Sequence, residues 1–439
     1  MINLIIKSNF FKYSFTIFLI SVLLFARTFM GLYIYGFRLG ELAMGATILI
    51  LLISLINYKN FLYANYFSKE LFVTLIMILL YFMINSLITD SSFFSTYTYR
   101  SSSYIWTIGM LFLGANFFKL NYLNPNILKS LYLILIFIYL YGTYGIPKSY
   151  INYILQYSDK FEPHKGSDLL LIFVGIFFIN NRYFQNKRIL FEIFTLFVCL
   201  YFPFFGFKSR GAFLAFIIFT ITEYFYFRNE FRANLKRNIL LFLFSFIVLF
   251  QSIFLINGSS FIKFNQAEQN VKNIVEYRAD PDDEEFRILF IEEDFWTKEM
   301  RLKSSDNNLN WRLQIWQDVH FDIYYKNLVF SGYGYKDKIP AMEVITRQGL
   351  DRLNENVHNY VVTIYARGGL IHLILFCFFY YYLIRDLKRA TNSLYSLPLI
   401  ISVLFTAFFD VAMENSHYPL LFYFLIGLSI HKNRLFKNS

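Results

Sequence analysis

Cysteine is nearly absent: 439 residues hold only Cys199 and Cys377, both inside apolar runs. That excludes a disulfide-stapled scaffold and leaves no cysteine cage for a metal. Proline is scarce, with eight in the chain, and Pro203 and Pro398 are the clearest ones within long apolar segments. No internal repeat is visible, and Glu192 and Glu223 lie near segment ends rather than mid-segment. A transporter or flippase built from inverted repeats, broken helices and mid-membrane charges would show the opposite pattern. It stands as the rival reading from another functional class. Acidic residues are rare outside one stretch: Asn257–Val357 carries a net −5, while the rest of the chain carries +16.

What fills the chain is apolar residues, 56% of the total, with 56 Phe and 35 Tyr. No water-soluble domain carries that load without long hydrophobic runs, and runs near spanning length are present. Twelve are expected to cross a membrane, at about 10–29, 40–56, 70–89, 103–118, 127–145, 167–181, 189–206, 211–227, 238–256, 359–384, 394–411 and 415–430. The fold class is therefore an all-α polytopic membrane protein with one large helical loop between the ninth and tenth spans. It divides into a bundle (1–256), the loop (257–357), and three last spans with a tail (358–439). The first span lacks a small-residue cleavage site behind it and is read as an anchor.

Lys and Arg in the short connections orient the chain. With the N-terminus inside, the inner connections hold nineteen cations. The outer ones hold only Arg27, Arg38, Arg100, Lys148, Lys160, Lys165, Lys208 and Arg210. Both termini are then cytoplasmic, and 257–357 lies outside. The formal charge of +11 is an orientation signal, not a nucleic-acid footprint.

Two outer connections stand out. Lys208-Ser209-Arg210-Gly211 forces two cations onto a turn at the lipid interface. They either snorkel to headgroups or grip a buried anion such as a lipid pyrophosphate. The loop Gly145–Gly166 ends in His164-Lys165, a solvated segment or a rim toward an anionic ligand. The acidic runs Asp280–Glu285 and Glu292–Asp294 match no calcium-ligand spacing and read as a solvated face.

From Asn310 the character changes. Trp311, Ile315, Trp316, Val319 and Ile323 recur at helical spacing, predicting an amphipathic helix at the membrane surface or over the bundle. Arg312, Trp316 and His320 share one stripe of it; Trp316 is expected to pack and His320 to face solvent. Ser331-Gly-Tyr-Gly334 is a turn, not a dinucleotide site, since no strand precedes it and a third glycine is missing. His358-Asn359 opens the tenth span, followed by Arg367-Gly368-Gly369.

Taken together, Trp311-Arg312…Trp316, Gly332-Tyr-Gly334, His358-Asn359 with Gly368-Gly369, and the basic turn at Lys208–Gly211 resemble the O-antigen ligase and polymerase superfamily of bacterial envelope proteins. The motif resemblance covers about 207–217 and 311–376, the topological one the whole chain. Asn327–Phe330 lacks the family's usual proline, and His372 stands where a small residue is usual, so the chain is a divergent member.

The resemblance implies an inner-membrane enzyme with its site facing the periplasm. It would move a glycan from undecaprenyl pyrophosphate to a lipid A-core hydroxyl, inverting, with no metal or cofactor. The alternative within the class is a repeat-unit polymerase that extends a growing lipid-linked glycan. His358 is then the candidate base toward the acceptor hydroxyl, or a hydrogen-bond donor to the pyrophosphate. Arg210 and Arg312 are the other catalytic candidates, stabilising the leaving group. Lys208, Arg367, Asn359 and Trp316 are candidate substrate-binding residues, with Arg367 facing phosphate or an acidic partner such as Asp410. Expected partners are the lipid-linked glycan, its acceptor and membrane lipids, with no nucleic acid.

Overall fold

A computed structural model describes residues 9–56, 67–92, 95–117, 125–158, 164–183, 186–258, 287–293, 299–344, 347–348, 354–391 and 396–431. Asp280–Glu285, Lys160 and both chain termini lie outside the described residues. The chain runs α1 (Asn9–Met30), β1 (Tyr33–Ile34), β2 (Phe37–Arg38), α2 (Leu39–Ile56), α3 (Lys69–Ile88), α4 (Thr96–Ser101), α5 (Ser103–Trp106) and α6 (Gly109–Phe117). It continues through α7 (Pro125–Tyr144), α8 (Lys148–Ile154), α9 (Gly166–Tyr183), α10 (Lys187–Lys208), α11 (Arg210–Tyr226), α12 (Arg228–Ala233) and α13 (Leu235–Gly258). After β3 (Phe290–Glu293) and β4 (Met300–Lys303) come α14 (Asn307–Tyr325), α15 (Tyr360–Thr391), α16 (Leu397–Ala407) and α17 (His417–Leu428).

Among the described residues, six helices are long and apolar enough to cross a membrane: α1, α2, α3, α10, α13 and α15. Residues of α7 and α8 form a pair bent by 116°, and α9, α16 and α17 are shorter apolar helices. Among the described residues the expected count of twelve spans is therefore not reached. The apolar run 103–118 is broken because hydroxyls bond backward onto the chain: Ser102 Oγ to Thr98 O (2.6 Å) and Thr107 Oγ1 to Ser103 O (2.8 Å). The last two runs shorten to α16 and α17 because the chain leaves the helix around Asp410, whose carboxylate accepts the Val411 amide (2.8 Å). The 257–357 segment also holds an antiparallel hairpin, β3 with β4, where an irregular face was expected.

The core centres on α17, all twelve residues of which are buried. It crosses α6 with backbones in contact. A Cβ on Gly114 would lie 2.2 Å from Phe424 O, and one on Gly427 would lie 2.1 Å from Leu111 O. Small residues at a crossing let helices approach this closely in an apolar medium.

Helix α14 is capped by Asp306, whose carboxylate accepts the Leu309 amide (2.9 Å). Its apolar stripe, Ile315, Val319 and Ile323, builds a second small core with Ile339, Met342, Val357 and Ala366. The helix therefore packs over the start of α15.

The turn after α14 docks into a break in α15. Gly369 sits at φ 66°, ψ −169°, interrupting the helix. Two amides of the turn fill carbonyls that the break exposes: Tyr333 N to Ala366 O (2.7 Å) and Gly334 N to Arg367 O (2.9 Å). In return, Leu370 N reaches Val329 O (2.8 Å). Tyr81 of α3 ties both sides, donating to Phe330 O and Gly368 O at 2.8 Å each. A Cβ on Gly369 would lie 2.3 Å from the Phe330 carbonyl, and one on Gly332 would lie 2.6 Å from Ala366 O. The two glycine motifs therefore serve one backbone-to-backbone contact.

Gly369→Ala should lower the thermal unfolding temperature of the purified protein, with about 1–3 kcal/mol lost to left-handed strain alone. Gly45→Ala is the matched control, since its added Cβ meets only Tyr99 Oη at 3.8 Å; it should leave stability unchanged or raise it.

Candidate active site

His358 stands one residue before α15 reaches Asn359, its cap, with φ 55°. Histidine tolerates the left-handed region better than most residues, and the turn aims its ring at α14 and the loop after α16. The imidazole meets the Trp311 ring edge to face at 5.1 Å. Nε2 lies 3.0 Å from Asn354 Oδ1, and Nδ1 lies 4.0 Å from Asp410 Oδ1. With Nε2–H donating to the amide oxygen, the Nδ1 lone pair faces the Asp410 side. Asp410 is itself held by the Ser167 hydroxyl at 2.5 Å. Burial pushes the imidazole well below its ordinary value; Asp410 opposes this, while Arg312 and Lys165 add to it. The ring is thus neutral at neutral pH, yet 21% of it stays exposed, so a substrate can reach it.

Arg312 lies beside this ring. Burial draws its pKa down, and Asp410 and Asp306 oppose that, so the guanidinium stays charged between two carboxylates. Its Nε is buried with no hydrogen-bond partner among the described residues. Arg210 opens α11 behind the cap Ser209 and forms an ion pair with Asp306. Because Asp306 caps α14, the Arg210 turn is tied to the helix that carries Arg312. Arg210 is 81% exposed, so the pair contributes about 0–1 kcal/mol and its guanidinium remains available. Among the described residues, no three His, Cys, Asp or Glu side chains gather to hold a metal ion.

Residues 194–377 match the family described as O-antigen ligase. That segment, somewhat under half of the chain, is similar to the O-antigen ligase family, in line with the resemblance read from its motifs. No curated protein matches the chain. With its apolar helices, the chain has the build of a multi-pass membrane protein, and the family its segment matches is one of membrane glycosyltransferase-like enzymes.

The O-antigen ligase segment contains all seven residues singled out in the sequence, but they do not converge. His358 and Arg312 come together, with Arg210 linked to them through Asp306. Trp316 supports from behind: its Nε1 donates to Val357 O (2.8 Å) and its ring packs on Phe408 (5.7 Å). Asn359 is fully buried and caps α15, its Oδ1 accepting the Val362 amide (3.0 Å). Lys208 ends α10 with its ammonium over the Phe204 ring (5.6 Å). His320 is exposed, and His164 is buried against Tyr141 rather than on a rim.

Arg367 is 1% exposed, and its donors go to Gly334 O (3.1 Å), Asp337 O (2.5 Å) and Tyr97 Oη (2.7 Å). It staples the turn into the break of α15, and neither Asp410 nor open space is its partner. Asp410, beyond the matched segment, partners His358 instead. Of the two partners expected for Arg367, phosphate or an acid such as Asp410, the acid is thus engaged elsewhere.

Arg367→Ala should destabilise the fold strongly, since each buried group left without its partner costs about 1–3 kcal/mol. Arg367→Lys should recover little, because one ammonium cannot reproduce a planar fork. Thermal unfolding in detergent checks both.

Proposed function

We propose that this protein is an O-antigen ligase-type transferase. It moves a glycan from undecaprenyl pyrophosphate to a hydroxyl of a lipid A-core acceptor, inverting, with no metal required. The reading includes twelve crossings of the bacterial inner membrane, both termini in the cytoplasm and the 257–357 segment in the periplasm. The observation that carries it is the neutral His358 ring, with Nδ1 toward Asp410 and Arg312 alongside.

The acceptor hydroxyl approaches His358 Nδ1 and gives up its proton there. Its oxygen bonds to the anomeric carbon as the bond from that carbon to the pyrophosphate oxygen breaks. Asp410 then faces an imidazolium and stabilises it. The electron pair leaves on undecaprenyl pyrophosphate, whose growing charge Arg312 and Arg210 offset. In a partly dry site such fixed cations act more strongly than in water. Trp316 and Asn359 hold the backbone on either side of His358 and so set its aim.

His358→Ala should cut transfer by about 10²–10⁴-fold, the usual worth of a positioned base. Arg210→Ala should abolish detectable transfer as well, with membrane insertion intact in both. Activity assayed with a lipid-pyrophosphate glycan decides: full turnover by either variant removes that residue from the mechanism. The product separates ligase from polymerase, as loss of a ligase leaves lipid-linked polymer and loss of a polymerase leaves single repeats on the acceptor.

Because the base works unprotonated, its rate is present at neutral pH and lost as pH falls through a pKa below 6.5. Asp410→Asn removes the carboxylate that raises that pKa. The acid limb of kcat/KM should move to lower pH while the plateau falls, which a pH–rate profile would show.

A further inference from the structure

Three of the outer cations that run against the orientation bias play no part at His358. Arg27 at the end of α1, Arg38 at the end of β2 and Arg100 in α4 line one open cleft of about 80 Å³. Its opposite wall is the loop after α16, through Glu414 and Ser416. That same loop carries Asp410 four residues earlier, so the cleft and the His358 site share one wall.

The cleft is built, not incidental. Gly40 lets the loop pack closely, as a Cβ there would lie 2.7 Å from Ser416 Oγ and 3.2 Å from Met30 O. The next residue, His417, is pinned by Asp168 at 2.7 Å. Arg38 is steadied by the Tyr33 hydroxyl (3.4 Å), and the carboxylate of Glu41 is engaged by the Arg38 amide (3.1 Å). Glu414 is 8% exposed. One of its oxygens accepts the Thr363 hydroxyl (2.5 Å), and the other is buried without a partner among the described residues. Burial pushes this carboxyl up to about 7, which lightens the negative charge of the wall. A buried orphan carboxyl oxygen calls for a donor, such as a sugar hydroxyl. The exposed guanidinium fork of Arg100 at the cleft suits phosphate.

We propose that this cleft is a second substrate subsite that seats a phosphorylated sugar head, with Arg100 and its neighbours on the phosphate and Glu414 on a hydroxyl. The assignment rests on the glycan-transfer reading, in which both substrates carry sugars next to phosphates. The phosphorylated acceptor and the pyrophosphate-linked donor share that chemistry, and kinetics tells them apart.

The test uses the purified full-length protein in nanodiscs, with glucose 1-phosphate as the probe and glucose as its control. Arg100 is exposed, so Arg100→Ala leaves the fold intact; Glu414→Gln is the second variant. Glucose 1-phosphate should raise the unfolding temperature of the wild type and of Arg210→Ala. Its apparent affinity should fall about tenfold or more in Arg100→Ala, in line with one lost charge-assisted hydrogen bond. Glucose should have no effect. In the transfer assay Arg100→Ala should raise one KM with kcat unchanged, the acceptor's if the cleft seats the acceptor, the donor's if it seats the donor. No stabilisation by millimolar glucose 1-phosphate, an unchanged affinity in Arg100→Ala, or two unmoved KM values would each overturn the subsite. A wild type that binds the probe through Arg100 but transfers no glycan would instead sink the transferase reading and leave the binding site standing.

Discussion

Breaking a helix in an apolar setting leaves amides and carbonyls that water cannot reach, each at a cost of several kcal/mol. In this protein the break at Gly369 is filled by another piece of backbone, the turn that follows α14. The rest of the outer architecture depends on that exchange. The turn fixes where α14 ends, α14 fixes Trp311, Arg312 and Trp316, and these fix His358. Arg367 reinforces the junction from within, its charge spread over two carbonyls and the face of Tyr97.

That dependence gives the site its preorganisation. Val357 is held by Trp316, Asn359 caps α15, and the imidazole between them is walled by Trp311. Asp410, in the loop after α16, comes within 4.0 Å of the ring and is steadied by Ser167 on α9. Elements far apart in the chain thus place an imidazole, a carboxylate and a guanidinium together.

Local periodicity made much of this legible in advance. The apolar runs and the amphipathic pattern after Asn310 predicted helices, and the helices are there, α14 beginning three residues earlier at Asn307. The glycine pairs were legible as punctuation but not as partners, because one residue's missing side chain says nothing of which backbone will fill the space. Arg367 looked like a substrate cation for the same reason: sequence shows a charge beside a helix mouth, not the carbonyls that surround it. The interruption at 107–108 was hidden because serine and threonine are mild in composition and act only through hydroxyl bonds back to the chain. The β3–β4 hairpin lay in a segment whose acidity outweighed its few apolar residues.

Helix α17 has a last consequence. Twelve residues rise about 18 Å, against a hydrocarbon layer of about 30 Å. A chain that crosses on so short a helix must start or finish beneath the level of the headgroups. The loop immediately ahead of it, with Asp410 and Glu414, would then sit below the headgroups rather than above them.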